Sequence, residues 1–220
     1  MQTNIARFLG LIGLGLILAC AAHADTAQMV FTGPNSAGIN DGTYYVSPYS
    51  GTMNGVTVTL FCDDVLHEVY SGEKWTANVT NLGTAISSLN GFANTRFGSG
   101  ISAANATILY EEVAWLVTQF TPTDQNQWVN IQHALWDLTD PGAYGGSATL
   151  SWLDSAEMAS NYGSINPNNF LIVSDVNLTG SGSVQEFIVE TTSTPEPSSL
   201  VLLVSGMLAM MLIVIRRGRI

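Results

Sequence analysis

The sequence predicts an α+β domain, an antiparallel β-sheet sandwich or barrel with an inserted helical hairpin, followed by a C-terminal transmembrane helix. Three observations predict it. Period-two runs rich in β-branched and aromatic residues, separated by Gly, Asn and Ser, occur both early and late in the chain. Between them lies a block in which apolar residues recur at helical spacing. The last 23 residues hold an uncharged apolar run closed by arginines.

The early strands are expected at Thr43 to Val46 and Val56 to Phe61, bounded by Gly42, Gly51 and Gly55, with Glu68 to Thr80 continuing the sheet around a turn at Gly72. The helical block follows. Ile108, Leu109, Val113, Leu116, Val117 and Phe120 share one face, and Trp128, Ile131, Ala134, Leu135 and Leu138 repeat the pattern after Thr121-Pro122-Thr123-Asp124. Thr123 or Asp124 is placed to cap the second helix, and Pro141-Gly142 ends it. So short a connection predicts an antiparallel helical hairpin. A shorter helix is expected from Leu150 to Ala159, then strands at Phe170 to Val173 and Val184 to Glu190. Strands on both sides of a helical block give the α+β class.

Of 220 residues, 46% are hydrophobic and only 10% charged, which suits one cored domain plus lipid-facing segments. The net charge is −11, and four of the six basic residues (Arg7, Arg216, Arg217 and Arg219) lie at the ends. Between Asp25 and Pro197 the cations are Lys74 and Arg96, against all 17 acids. Nucleic acid binding needs Lys and Arg at phosphates, so no nucleic acid partner is expected.

Residues 1–24 read as a signal peptide: Arg7, an apolar run, then Ala22-His23-Ala24, the small-x-small pattern cut by signal peptidase. Ile17-Leu18-Ala19-Cys20 loosely matches a lipoprotein signal, with Ile17 a poor first residue. Residues 25–193 form the exported domain, and residues 194–220 the tail. Within the tail, the 18 residues 198–215 just span a bilayer's hydrocarbon at about 1.5 Å per residue, and the arginines behind them stay cytoplasmic. The body is thereby placed outside the cytoplasm.

Pro195-Glu196-Pro197, the apolar helix and terminal Arg216 and Arg217 together resemble the PEP-CTERM sorting signal of Gram-negative, exopolysaccharide-producing bacteria. The resemblance implies an inner-membrane precursor facing the periplasm. An exosortase would then process it to a cell-surface or biofilm-matrix protein. It implies nothing about the chemistry of the body.

Once Cys20 leaves with the signal peptide, the body keeps a single cysteine, Cys62. An exported protein's lone cysteine is a core thiol, an intermolecular disulfide, a nucleophile or a partner in another covalent bond. Phe61-Cys62 at a strand end, followed downstream by Gln132-His133-Ala134-Leu135-Trp136 on a helix, resembles the paired motifs of the thioester domains of bacterial surface adhesins. Tyr110 to Phe120, with Ala114-Trp115-Leu116, resembles the helix that precedes the Gln motif. In that family the cysteine sulfur is acylated by the glutamine side chain with loss of ammonia, which here implies a Cys62–Gln132 thioester. Packing must hold sulfur and carboxamide in attack geometry. Trp128 and Trp136, at i−4 and i+4 from Gln132, are placed to shield the bond. His133 or His67 can assist proton transfer, with Asp63 or Asp64 orienting one of them.

The reading is of an adhesin-like protein that binds a nucleophile covalently and once, rather than an enzyme. A non-covalent structural or exopolysaccharide-associated protein is the alternative, with Tyr44, Tyr45, Tyr49 and the tryptophans offering stacking surface for sugars. A cysteine hydrolase using Cys62 with His133 or His67 is a minor one. No cofactor and no metal is expected. Asp63, Asp64 and Glu68, or Asp137 and Asp140, carry oxygens suited to Ca²⁺ but lack EF-hand spacing. No nucleotide-binding Gly-rich loop and no Gly-x-Ser-x-Gly elbow is present. Expected partners are signal peptidase and exosortase in processing, the membrane through the tail helix before processing, and a surface or matrix polysaccharide or an amine-bearing ligand.

Overall fold

The computed structural model describes residues 25–34, 37–161, 163–180 and 182–191. The signal peptide, Pro195-Glu196-Pro197, the 198–215 span and Arg216 and Arg217 lie outside the described residues. Among the described residues no helix is long and apolar enough to cross a membrane.

Six strands close a barrel: β1 (Asp25–Pro34), β2 (Tyr49–Met53), β3 (Val56–Cys62), β4 (Lys74–Asn81), β5 (Phe170–Asp175) and β6 (Phe187–Glu190), in the order β1-β2-β3-β6-β5-β4. Every pairing is antiparallel, and β4 returns to β1. Closure leaves no free sheet edge. Alternation along β1 turns Ala27, Met29 and Phe31 inward and their neighbours outward, as a two-residue repeat requires. The interior is filled by these three with Tyr49, Leu60, Cys62, Trp75, Val173, Phe187 and Val189.

A second core lies outside the barrel, against the faces of β3, β5 and β6. There Phe61, Phe170, Ile172 and Ile188 meet apolar residues of four helices: α1 (Leu82–Ile86), α2 (Ala103–Thr118), α3 (Trp128–Thr139) and α4 (Ser147–Asn161). Asn81 caps α1 by accepting from Thr84 N at 3.0 Å, and Ser102 caps α2 by accepting from Asn105 N at 3.2 Å. Helices α2 and α3 are in contact, and α4 packs on both. The strand end at Phe61-Cys62 therefore divides two cores: Phe61 faces the helices and Cys62 the barrel interior.

Four local expectations are corrected. Residues 43–46 are not a strand, because the Asp41 carboxylate accepts from Thr43 N and Tyr44 N at 2.8 and 2.7 Å and folds the segment into a turn, leaving one isolated bridge, Asn40 to Tyr45. Residues 68–72 are likewise outside the sheet, which resumes at Lys74 after Gly72 with its φ of 88°. Neither Thr123 nor Asp124 caps the second helix. A 3₁₀ turn at Gln125–Gln127 runs directly into Trp128 instead, and Asp124 makes no capping bond. The last strand begins at Phe187, not Val184, because Val184 N is drawn to Asp175 Oδ2 (2.8 Å) and Glu186 N to Asp64 Oδ2 (3.2 Å).

Phe187 is fully buried among Phe31, Tyr49 and Trp75, with ring centroids 6.0–6.3 Å away. Phe187→Ala is expected to cost about 3–5 kcal/mol in a denaturant titration. The control Val56→Ala, on an exposed side chain, should stay within about 0.5 kcal/mol of wild type.

Candidate functional site at the end of strand β3

Cys62 is the last residue of β3, opposite Phe187 in the ladder, and has no exposed surface. Its backbone N–H donates to Ser47 Oγ at 2.9 Å. Its sulfur lies 3.2 Å from Asp64 O and 3.4 Å from Asp64 N, donating to the first and accepting from the second. Burial pushes the thiol well above its usual pKa and the Asp64 carboxylate pushes it further, while the Trp136 indole N–H opposes them. The sulfur is therefore held as a neutral thiol.

Gln132 comes to the same point from α3, and it too is fully buried. Its amide Nε2 donates to the backbone carbonyl of Cys62 at 2.6 Å, and its Oε1 accepts from Ser47 N at 2.9 Å. One residue, Ser47, thus binds both halves of the pair: its N–H holds the carboxamide oxygen and its hydroxyl holds the cysteine backbone. A carboxamide without water is costly unless its polar atoms are paired, and here each end finds a fixed backbone partner.

Helix α3 delivers two further side chains. Trp136 packs with Cys62 in the barrel-side core, and its Nε1 has no geometrically complete hydrogen-bond partner. Trp128 sits in the helical core beside Phe120 and donates to Thr121 O at 3.0 Å. The two indoles that flank Gln132 in sequence therefore belong to different cores, and Trp136 is the one packed with the cysteine. His133 bonds Asp41 Oδ2 at 3.1 Å and stacks on Tyr144 with centroids 4.1 Å apart. Burial would raise the Asp41 pKa, but the N–H groups of Tyr44 and Thr43, together with His133, hold it below the ordinary value. The loop at residues 38–48 thereby grips α3 at three consecutive contacts: Asp41 on His133, Tyr44 edge-on to Trp136 (6.1 Å), and Ser47 on Gln132.

Behind the sulfur is a buried charged cluster. Arg96 Nε pairs with Asp64 Oδ2 at 3.0 Å, and its terminal nitrogens donate to Leu178 O, Val184 O and Ser183 Oγ. His67 Nδ1 meets the same Asp64 carboxylate at 2.9 Å, with Nε2 3.1 Å from Arg96 Nη1. A guanidinium only donates, so His67 accepts at Nε2 and donates from Nδ1. Both of its nitrogens are occupied. Asp63 turns to the other core. Its backbone carbonyl accepts from the Thr139 hydroxyl, while its carboxyl oxygens are buried without a complete hydrogen bond. Burial first, then the charges of Glu186 and Asp64, raise its pKa well above 3.8. Glu186 is also raised by burial, against donors from Ser174, Tyr110 and Arg96 N.

No protein-family model matches the chain, and no curated protein matches it. Among solved structures, an N-terminal thioester domain of a surface protein from Clostridium perfringens is similar, at 12% identity and a TM-score of 0.39, over 76% of this chain and 99% of that one.

Of the residues singled out in the sequence, Cys62, Gln132 and Trp136 meet at one point. His67 and Asp64 form a pair beside it, His133 flanks it, and Asp63 and Trp128 face the helical core. The sulfur's hydrogen bonds go to Asp64 and to neither histidine. Glu68 is exposed and accepts from the Tyr70 hydroxyl. Asp137 accepts from Gly142 N and Tyr144 N, closing the turn after α3. Among the described residues no group of three candidate metal ligands occurs. Sequence reasoning missed Ser47, Asp41 and Glu186. Asp41 stands in an Asn-Asp-Gly turn and Glu186 in an apolar run, which are usable signals. Ser47 had none.

The Asp63 shift has a defined sign. A folded-state pKa above the unfolded one stabilises the fold below the unfolded value, and that stability is lost as pH rises. Asp63→Asn, uncharged and of the same shape, should therefore gain stability over wild type progressively as pH rises above about 4, the ordinary carboxyl range. Denaturation midpoints taken as pH rises measure it, and a pH-independent difference would contradict the assignment.

Proposed function

We infer that this chain is an exported surface or matrix protein that stores a thioester between Cys62 and Gln132 and spends it once, attaching itself covalently to a nucleophile. The observation that carries the reading is the fully buried Gln132 carboxamide, pinned between Ser47 N and the carbonyl of the residue that bears the thiol. The carboxamide is fixed against the Cys62 backbone, and where an intramolecular reaction is well oriented the advantage is on the order of 7–11 kcal/mol of barrier. The Ser47 N–H points at the oxygen on which charge develops when sulfur adds to the carboxamide carbon.

The steps balance. The Cys62 sulfur bonds to the Gln132 side-chain carbon, the carbon–nitrogen bond breaks, and ammonia leaves carrying the thiol proton. Later a primary amine attacks the same carbon, the carbon–sulfur bond breaks, and a proton from the amine returns to sulfur. The products are a substituted amide at Gln132 and a free thiol at Cys62. No turnover follows, so the protein acts as a binder.

The processing signals supply the location. In this reading residues 1–24 direct export, Pro195-Glu196-Pro197 and the apolar run 198–215 hold an inner-membrane precursor, and an exosortase transfers the domain to the surface. A non-covalent, polysaccharide-associated role has its own support in the exposed rings of Tyr44 and Tyr45. A hydrolase has less, since the hydrogen bonds of both histidines lie away from the sulfur.

Methylamine tests the reading. Wild-type protein purified from its native host should incorporate one methylamine at Gln132 and expose a Cys62 thiol to maleimide at the same rate. Cys62→Ala should incorporate none. Incorporation without thiol release, or a wild type that is inert and fully alkylated at Cys62, would reject the thioester.

A further inference from the structure

An open cavity of about 240 Å³ shares its Trp136 wall with the core that holds Cys62, and is lined by Tyr44, Tyr45, Tyr70, Trp136, His67 and Glu68 among others. Three of its walls are one residue from the sulfur. Trp136 packs with Cys62 directly. Gln185, also in the lining, donates to Asp64 O at 3.0 Å, the same carbonyl that accepts from the thiol. His67 is bonded to the Asp64 side chain.

The chemistry of this lining is selective. Tyr44, Tyr45 and Tyr70 are 43%, 52% and 66% exposed, an unusual number of open aromatic faces in one place. Such faces take the C–H face of a pyranose ring or a cation. Glu68 is exposed at the rim and draws in the Tyr70 hydroxyl, setting a carboxylate beside the rings. Neither Lys74 nor Arg96, the lysine and arginine of the described residues, lines the cavity. Phosphorylated, sulfated and uronate ligands would find no counter-charge and would meet Glu68 as a like charge.

We propose that this cavity binds a saccharide bearing a free primary amine, a hexosamine unit of a de-acetylated polysaccharide, and presents that amine to the Cys62–Gln132 bond. The proposal rests on the thioester reading for its covalent outcome, but the recognition step does not need the bond. Rings hold the sugar face, Glu68 holds the ammonium and accepts its proton so that the neutral amine can attack, and Trp136 is the wall shared with Cys62. A lysine side chain offers the amine without a ring face, and a neutral glycan offers the face without the cation.

The test uses Cys62→Ala, in which no thioester can form, so binding is read apart from acylation. A glucosamine tetramer, its N-acetylated counterpart and a lysine peptide are titrated by calorimetry against this full chain. The glucosamine tetramer should bind at least about tenfold more tightly than the other two. Glu68→Gln, on an exposed side chain, should erase the preference over the acetylated sugar, and Tyr44→Ala should weaken both sugars. Equal binding of the two sugars, tighter binding of the peptide, or no binding at all would overturn the proposal. Each of these outcomes leaves the methylamine result untouched, and failure with methylamine leaves this titration readable.

Discussion

The arrangement depends on Ser47. Its peptide N–H and hydroxyl are 2.9 Å from Gln132 Oε1 and Cys62 N respectively, so one residue fixes a helix side chain against a strand end. Without that bridge, a buried carboxamide on α3 would leave a polar oxygen unpaired in a dry core, at a cost of about 1–3 kcal/mol. With it, the carboxamide is bound on the Cys62 side by Cys62's own carbonyl. The barrel and the helical layer are thereby registered to each other at the residue pair proposed to react.

The second constraint is electrostatic. In a body with 16 acids and two lysine or arginine residues, one of those two, Arg96, is committed to the interior, where it pairs with Asp64 and donates to three partners in the segment at residues 178–184. A buried pair seldom stabilises a fold more than apolar packing would, because both ions lose water. Its effect here is positional: Asp64 lies next to the sulfur through its backbone, and Arg96 holds the Asp64 side chain. Removing Arg96 would leave a buried carboxylate beside a thiol whose neutrality that geometry maintains.

Much of this was legible in sequence. Helices α2 and α3 announced themselves through apolar spacing, β3 through alternation and β5 as a short apolar run, whereas the short α1 at Leu82–Ile86 was not read from the sequence. The first strand did not, because its inward residues Ala27, Met29 and Phe31 alternate with Gln28 and Val30 in a run adjoining the export signal. Strand β2 was hidden for a similar reason. Its inward positions include Gly51, packed so closely on Leu60 and Val30 that a Cβ would meet Leu60 at 2.6 Å. The site was half visible. Cys62 and Gln132 stood out by type and motif, whereas Ser47 acts through its backbone and a short hydroxyl, which no composition or period reveals. The two tryptophans shared a helix face in sequence, yet the boundary between two cores falls between them.

The most direct measurement is tandem mass spectrometry of an acidic, non-reducing digest of protein from the native host. The account predicts one linked species joining the segment around Cys62 to that around Gln132, short of the sum of the two peptides by one ammonia. Recovery of both segments unlinked, each at full mass and with Cys62 open to alkylation, would contradict it.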